Sequence, residues 1–313
     1  MIGRQRHCIA LEDFNRAELL QVLDLAVSMK EVLLRPIKKV PSLRGKSVVN
    51  LFFEASTRTR SSFEIAAKVL SADALNWTSA SSSVTKGETL VDTARNLEAM
   101  RPDVLVIRHS AGGAPGLVAQ HVSCAVVSAG DGAHEHPSQG LLDCFTIREK
   151  LGSLEGKTLA IVGDISHSRV ARSDLHAFTK LGTTVRLCGP PTMLPAGVEA
   201  LGCTTTHDLR TAVEGADAVV MLRIQHERIG DPLIPNTREY SRLWGLNGKK
   251  AREWLQPGAL ILHPGPINRG VELSPDVADG PHSVILDQVQ NGVAIRMAIL
   301  YLLAGGDPAE AKA

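Results

Sequence analysis

The stretch Ser47-Val-Val-Asn-Leu-Phe-Phe-Glu-Ala-Ser-Thr-Arg-Thr-Arg60 decides how this chain is read. Residues 47–53 form a short apolar run of the kind that becomes a buried strand, and from about Thr59 to Leu70 the spacing turns helical. A strand feeding a helix through a short polar turn is the unit of which parallel sheets are made. Working outward, the alternation recurs. Residues 104–107 and 125–128 repeat the strand signal, and 137–150 have helical spacing through Leu141, Leu142, Phe145 and Ile147. The turn Leu151-Gly-Ser-Leu-Glu-Gly156 then breaks the pattern. Beyond it, residues 158–162, 184–187, 218–222 and 259–262 predict four more strands, with connections long enough for crossover helices. A last helical pattern, 284–303, is long enough to pack back on the first half. The expected fold is α/β with two domains, each a mostly parallel sheet flanked by helices. The expected domains are residues 1–150 together with the helix at about 285–305, and residues 151–284.

Length and composition agree with this. A chain of 313 residues exceeds what one core fills, so two domains are expected. Hydrophobic residues make up 44% and charged residues 21%, which is ordinary for a soluble globular protein. A formal net charge of +1 argues against a nucleic-acid surface, which needs a basic excess. No apolar run reaches the roughly 18 residues of a membrane span, and the first residues show no charged-then-apolar signal pattern. Cys8, Cys124, Cys144, Cys188 and Cys203 are scattered, with no C-x-x-C pair. That usage predicts reduced, mostly buried thiols in a cytoplasmic protein rather than disulfides or a zinc site.

Ser56-Thr-Arg-Thr-Arg60 opens the helix that follows the first strand. A helix N-terminus has unpaired N–H groups and a partial positive charge, so it suits a phosphate. The hydroxyls of Ser56, Thr57 and Thr59 add donors, and Arg58 offers a planar fork. The same residues could form only a capped helix with a solvated basic first turn. Arginines in a first turn oppose the helix dipole, however, and two of them there point to a ligand. Neither a Walker A loop nor a G-x-G-x-x-G fingerprint is present at this turn, which argues against a nucleotide kinase or a dehydrogenase. Arg108 and His109 stand at the end of another strand, where open α/β sheets collect ligands. Residues 129–139 supply His134, His136 and Gln139 in one loop leading into a helix. His134-Glu-His136 lacks a third metal ligand at standard spacing, so no metal is expected. A buried structural histidine fits better, and a neutral imidazole donating to a substrate carbonyl fits best.

The run Phe53-Glu-Ala-Ser-Thr-Arg-Thr-Arg-Ser-Ser-Phe-Glu64, together with His136-Pro-Ser-Gln139, resembles the carbamoyltransferases. The similarity extends over nearly the whole chain, through Lys86-Gly-Glu-Thr89, Gly163-Asp-Ile-Ser-His-Ser-Arg169, Leu222-Arg-Ile-Gln-His-Glu-Arg228 and His263-Pro-Gly-Pro266. Ornithine-specific members typically carry His-Cys-Leu-Pro where this chain has His263-Pro-Gly-Pro266. That difference, with Arg223-x-Gln225, favours aspartate as acceptor.

The resemblance implies transfer of the carbamoyl group of carbamoyl phosphate to the amine of L-aspartate, the committed step of pyrimidine synthesis, with no cofactor. Ser56, Thr57, Arg58, Thr59 and Arg108 would hold the phosphate. Thr59, Arg108 and His136 would point at the carbamoyl oxygen, and Gln139 would hold the carbamoyl nitrogen. The backbone around Gly265 and Pro266 would line the carbamoyl group, while Arg169, Arg223 and Gln225 would receive the carboxylates of aspartate. Ser82 and Lys86 would come from a neighbouring subunit, making a homotrimer the minimal active unit. Glu54 would offset the positive pocket by pairing with Arg169 and Arg228 on domain closure. Gly265 and Ile267-Asn-Arg-Gly270 depart from the best-studied bacterial members, which usually have leucine at the first of these positions. This loop resembles forms of which some associate with a dihydroorotase-like partner, so a regulatory or dihydroorotase-like partner chain stays open. A carbamoyltransferase for another amine such as ornithine, and a silent subunit that only binds phosphate ligands, are the alternatives.

Overall fold

The computed structural model describes residues 6–78, 88–224 and 233–305. The chain divides into two units, residues 1–145 with 290–313 and residues 146–289. The first holds α1 (Arg16–Leu34), β1 (Ser47–Phe52), α2 (Thr57–Val69), β2 (Asp73–Thr78), α3 (Leu90–Glu98), β3 (Val104–His109), α4 (Ala114–Ala119) and β4 (Ala125–Asp131), and α5 (Pro137–Leu151) leads out of it. The second holds β5 (Thr158–Val162), α6 (Arg169–Lys180), β6 (Thr184–Cys188), β7 (Thr204–Thr206), α7 (Leu209–Val213), β8 (Ala218–Met221), α8 (Thr237–Leu243), α9 (Gly248–Trp254), β9 (Leu260–Leu262) and α10 (Pro275–Ala278). Helix α11 (Ile285–Leu303) then carries the chain back to the first unit. Among the described residues no helix is long and apolar enough to cross a membrane.

The first sheet has the order β2-β1-β3-β4, and every pair is parallel. Val48, Leu51, Val106, Ile107 and Val126 are fully buried in it. Strands covered on both faces read as unbroken apolar runs, which is why β1, β3 and β4 are visible in sequence. The edge strand β2 is not, because Asp73-Ala-Leu-Asn-Trp-Thr78 interleaves polar residues and leaves Leu75 58% exposed. Helix α1 begins with a full capping box in which the Asn15 side chain accepts from Glu18 N–H and the Glu18 carboxylate accepts from Asn15 N–H. Within α11, the Arg296 guanidinium lies 5.2 Å from the centre of the Phe63 ring, so the last helix packs on α2 of the first unit.

The second sheet runs β7-β6-β5-β8-β9, again all parallel. Its core gathers Ala160, Val162, Val219, Met221 and Ile261 from the strands with Leu209, Ala212 and Val213 from α7. The outermost strand β7 is three threonines, a polar edge with no apolar signal to announce it. In each sheet the chain leaves the central strand to one side and later returns on the other, between β1 and β3 in the first and β5 and β8 in the second. Such switch points open a crevice beyond the strand ends, and ligands of open α/β sheets bind there.

Candidate active site

At the first switch point the chain leaves β1 and enters α2 through Glu54, Ala55 and Ser56. Ser56 is the N-cap residue, in extended backbone (φ −160°), yet its side chain makes no capping hydrogen bond. The hydroxyl is therefore not spent on capping the helix, whose N-terminal end is of the kind that suits an anion. Thr57 and Arg58 are exposed there, whereas Thr59 is buried. Helix α2 begins at Thr57 rather than at Thr59, which puts Thr57, Arg58 and Thr59 in its first turn.

Beside it, β3 continues to His109, past the expected end at Ile107, so Arg108 is the penultimate strand residue. Arg108 donates from Nη1 to the Ala129 carbonyl at 3.2 Å, and its Nε lies 3.6 Å from Glu54 Oε2. Within its own unit Glu54 thus stands beside Arg108. His109 is turned to other work: its ring packs on Phe53 at 5.2 Å, and Nδ1 accepts from Ala111 N–H.

The loop after β4 is held by Asp131, which is fully buried. It accepts from Gly113 N–H at 2.7 Å and Glu135 N–H at 3.2 Å, and its Oδ2 lies 3.1 Å from His134 Nδ1. Glu135 accepts from the N–H groups of Leu11 and Glu12. His134 and Glu135 therefore have structural partners. His136 is 4% exposed, and its carbonyl accepts from Gln139 and Gly140 N–H at the start of α5. In that first turn Gln139 donates through Nε2 to both carboxylate oxygens of Asp143, at 3.2 and 3.4 Å. The structure thus collects Ser56, Thr57, Arg58, Thr59, Arg108, His136 and Gln139 at the carboxyl ends of β1, β3 and β4.

At the second switch point Gly163 ends β5 with φ +135°. A Cβ there would meet Leu222 Cβ at 2.9 Å and the Tyr240 hydroxyl at 3.2 Å, so only glycine lets the β5 and β8 ends approach this closely. Asp164, buried, accepts from His167 N–H and faces His167 Nδ1 at 2.9 Å. Ser168 caps α6, its hydroxyl accepting from Ala171 N–H, and Arg169 follows as the first helical residue, 4% exposed. Arg223 lies just beyond β8, half-buried. Gln225 and Arg228, like Ser82 and Lys86, fall outside the described residues.

The loop His263-Pro-Gly-Pro266 follows β9 and is fastened by a buried pair. His263 Nδ1 accepts from Gly265 N–H at 2.8 Å, which leaves the ring proton on Nε2, where it donates to Glu272 Oε1 at 3.1 Å. The same oxygen accepts from Asn268 N–H at 2.6 Å, and Gln288 Oε1 accepts from His263 N–H at 2.9 Å. Gly265 has φ +65°, and the Gly265–Pro266 peptide is cis. Tyr240 packs with Met193 and Ile224, and burial pushes its phenol up, with the Glu272 charge adding to this.

Sequence reasoning missed Asp131, Asp143, Glu272 and Arg296. Only Asp143 had a signal, its spacing of four from Gln139 on a helix. The others depend on tertiary neighbours.

These features define an α/β chain of two parallel-sheet units with its polar groups at two switch points. The sequence profile of the aspartate/ornithine carbamoyltransferase carbamoyl-P binding domain matches residues 6–149, and that of the Asp/Orn binding domain matches residues 155–303. The chain belongs to the aspartate/ornithine carbamoyltransferase family. It is 86% identical to the aspartate carbamoyltransferase catalytic subunit of an Anaeromyxobacter species, over 99% of this chain and 98% of that one. It is 61% identical to the same subunit of Geobacter sulfurreducens, over 97% and 98%. Among solved structures, Trypanosoma cruzi aspartate transcarbamoylase in complex with carbamoyl phosphate aligns with a TM-score of 0.86 at 30% identity, covering 94% of this chain and 95% of that one. Ornithine carbamoyltransferase from Thermus thermophilus aligns at 0.84 and 27%, covering 96% and 99%.

Proposed function

We propose that this chain transfers the carbamoyl group of carbamoyl phosphate to the amine of L-aspartate, giving N-carbamoyl-L-aspartate and phosphate. The observation that carries this reading is the uncapped, hydroxyl-bearing start of α2 beside Arg108 and His136, in a chain 86% identical to an aspartate carbamoyltransferase catalytic subunit. The aspartate nitrogen attacks the carbamoyl carbon, the bond from that carbon to the phosphate oxygen breaks, and the departing phosphate takes the amine proton. Catalysis is then positioning, worth about 7–11 kcal/mol, plus donors aimed at the developing oxyanion, each worth about 3–4 kcal/mol.

Ser56, Thr57, Arg58, Thr59 and Arg108 hold the phosphate. Thr59, Arg108 and His136 face the carbamoyl oxygen, Gln139 takes the carbamoyl nitrogen, and the backbone at Gly265 and Pro266 lines the group. Arg169, Arg223 and Gln225 receive the aspartate carboxylates, and Glu54 with Arg228 steadies the closed form. Completion of each site by Ser82 and Lys86 of a neighbouring copy, in a homotrimer, belongs to the same reading. None of the five cysteines forms a disulfide, which supports a cytoplasmic setting.

The test is product formation from carbamoyl phosphate with aspartate or ornithine. Aspartate-dependent N-carbamoylaspartate that is lost in Arg58→Ala at carbamoyl phosphate concentrations near the wild-type KM is expected. Product with ornithine alone would overturn the acceptor assignment.

A further inference from the structure

Gln139 is nine-tenths buried in the first turn of α5, and its amide nitrogen donates to Asp143 one turn later. An ionised carboxylate only accepts hydrogen bonds, so Asp143 dictates which way the amide lies: NH2 toward the carboxylate, carbonyl oxygen away. Asp143 is itself fully buried, and such a group needs a positive neighbour to stay ionised. Arg296 of α11 is that neighbour. Its guanidinium is 4% exposed and stacked over Phe63. Burial pushes it down to about 10 even though the negative charge of Asp143 works the other way, so it keeps its charge at neutral pH. A Cβ at Gly292 would come 2.5 Å from Arg296 Nη1, so the helix spares a side chain one turn away to seat this arginine.

We infer that Asp143, held by Arg296, is a positioning residue that makes Gln139 present a hydrogen-bond acceptor, and so selects a ligand carrying NH2 over one carrying methyl. This deepens the reading above, on which the Gln139 amide meets the carbamoyl nitrogen. A locked acceptor accepts from the carbamoyl NH2. Acetyl phosphate, which has methyl at that place, would leave the acceptor unpaired and is rejected for that reason. An amide free to turn would lose this distinction.

The experiment measures the dissociation constants of carbamoyl phosphate and acetyl phosphate by calorimetry, with aspartate-dependent turnover followed alongside. In Asp143→Asn the new amide can donate to Gln139 as well as accept from it, so the lock is gone. The expected result is that the preference for carbamoyl over acetyl phosphate shrinks roughly tenfold while inorganic phosphate binds as before. The double variant Asp143→Asn/Arg296→Met removes both charges of the pair together and must show the same collapse. An unchanged preference in a variant that folds overturns the inference, because a structural role would weaken both ligands alike. Wild type that binds carbamoyl phosphate and shows the collapse on mutation, yet never carbamoylates aspartate, would sink the proposed reaction and keep the lock.

Discussion

The two switch points start from one plan and meet negative charge by different means. At the first, Ser56 stands at the N-cap of α2 without its side chain capping it. At the second, Ser168 does cap α6, and the positive charge comes from side chains, Arg169 at the helix start and Arg223 beyond β8. The contrast matches the ligands proposed for each. A phosphate has oxygens on every side and suits a ring of N–H and O–H donors beside the forks of Arg58 and Arg108, whereas a flat carboxylate suits an arginine fork alone. The loops differ too. The first is short and leads straight into its helix, while the second unit adds a His263–Glu272 pair to fix a loop far from its own switch-point helix.

The comparison can be broken, beginning with the largest effect. Arg108→Ala removes the cation shared by phosphate and carbamoyl oxygen, so kcat/KM should fall by about a thousandfold, near the loss of one or two oxyanion donors. A loss under about tenfold in steady-state assays would remove Arg108 from the first site. Glu272→Leu strands the Nε2–H of His263 and the N–H of Asn268 in the interior. Urea unfolding should show about 2–4 kcal/mol lost, with Glu272→Gln recovering most of it. Equal stability of both variants would mean the pair does not fasten the loop. The smallest and sharpest test makes one substitution at both helix starts. Ser168→Ala should cost about 1 kcal/mol in thermal unfolding as a lost cap, and Ser56→Ala close to nothing. Phosphate affinity should move the opposite way, falling in Ser56→Ala and holding in Ser168→Ala. The same response at both positions would erase the distinction.

What was legible in the sequence follows from burial. Strands covered on both faces, such as β3 and β8, show as apolar runs, and their carboxyl ends fix where Arg108 and Arg223 stand. The edge strands β2 and β7 were invisible because polar residues interrupt or fill them, unlike the apolar edges β4 and β9. The stretch Ser56–Arg60, proposed to hold phosphate, stood out in the sequence because it is contiguous and its arginines defy the helix dipole. Asp143 and Arg296 lie far apart in sequence and meet only through packing, and His263 and Glu272, nine residues apart, are joined by a loop whose course no periodicity announces. Spacing alone cannot announce such pairs.

The most direct test of the division between the two switch points is a paired steady-state titration of Arg58→Ala and Arg223→Ala, varying each substrate with the other saturating. The account predicts that Arg58→Ala raises KM for carbamoyl phosphate and that Arg223→Ala raises KM for aspartate, each by roughly a hundredfold and each largely sparing the other substrate. If both variants weaken both substrates equally, or if Arg223→Ala leaves aspartate untouched, the assignment of one anion to each switch point is wrong.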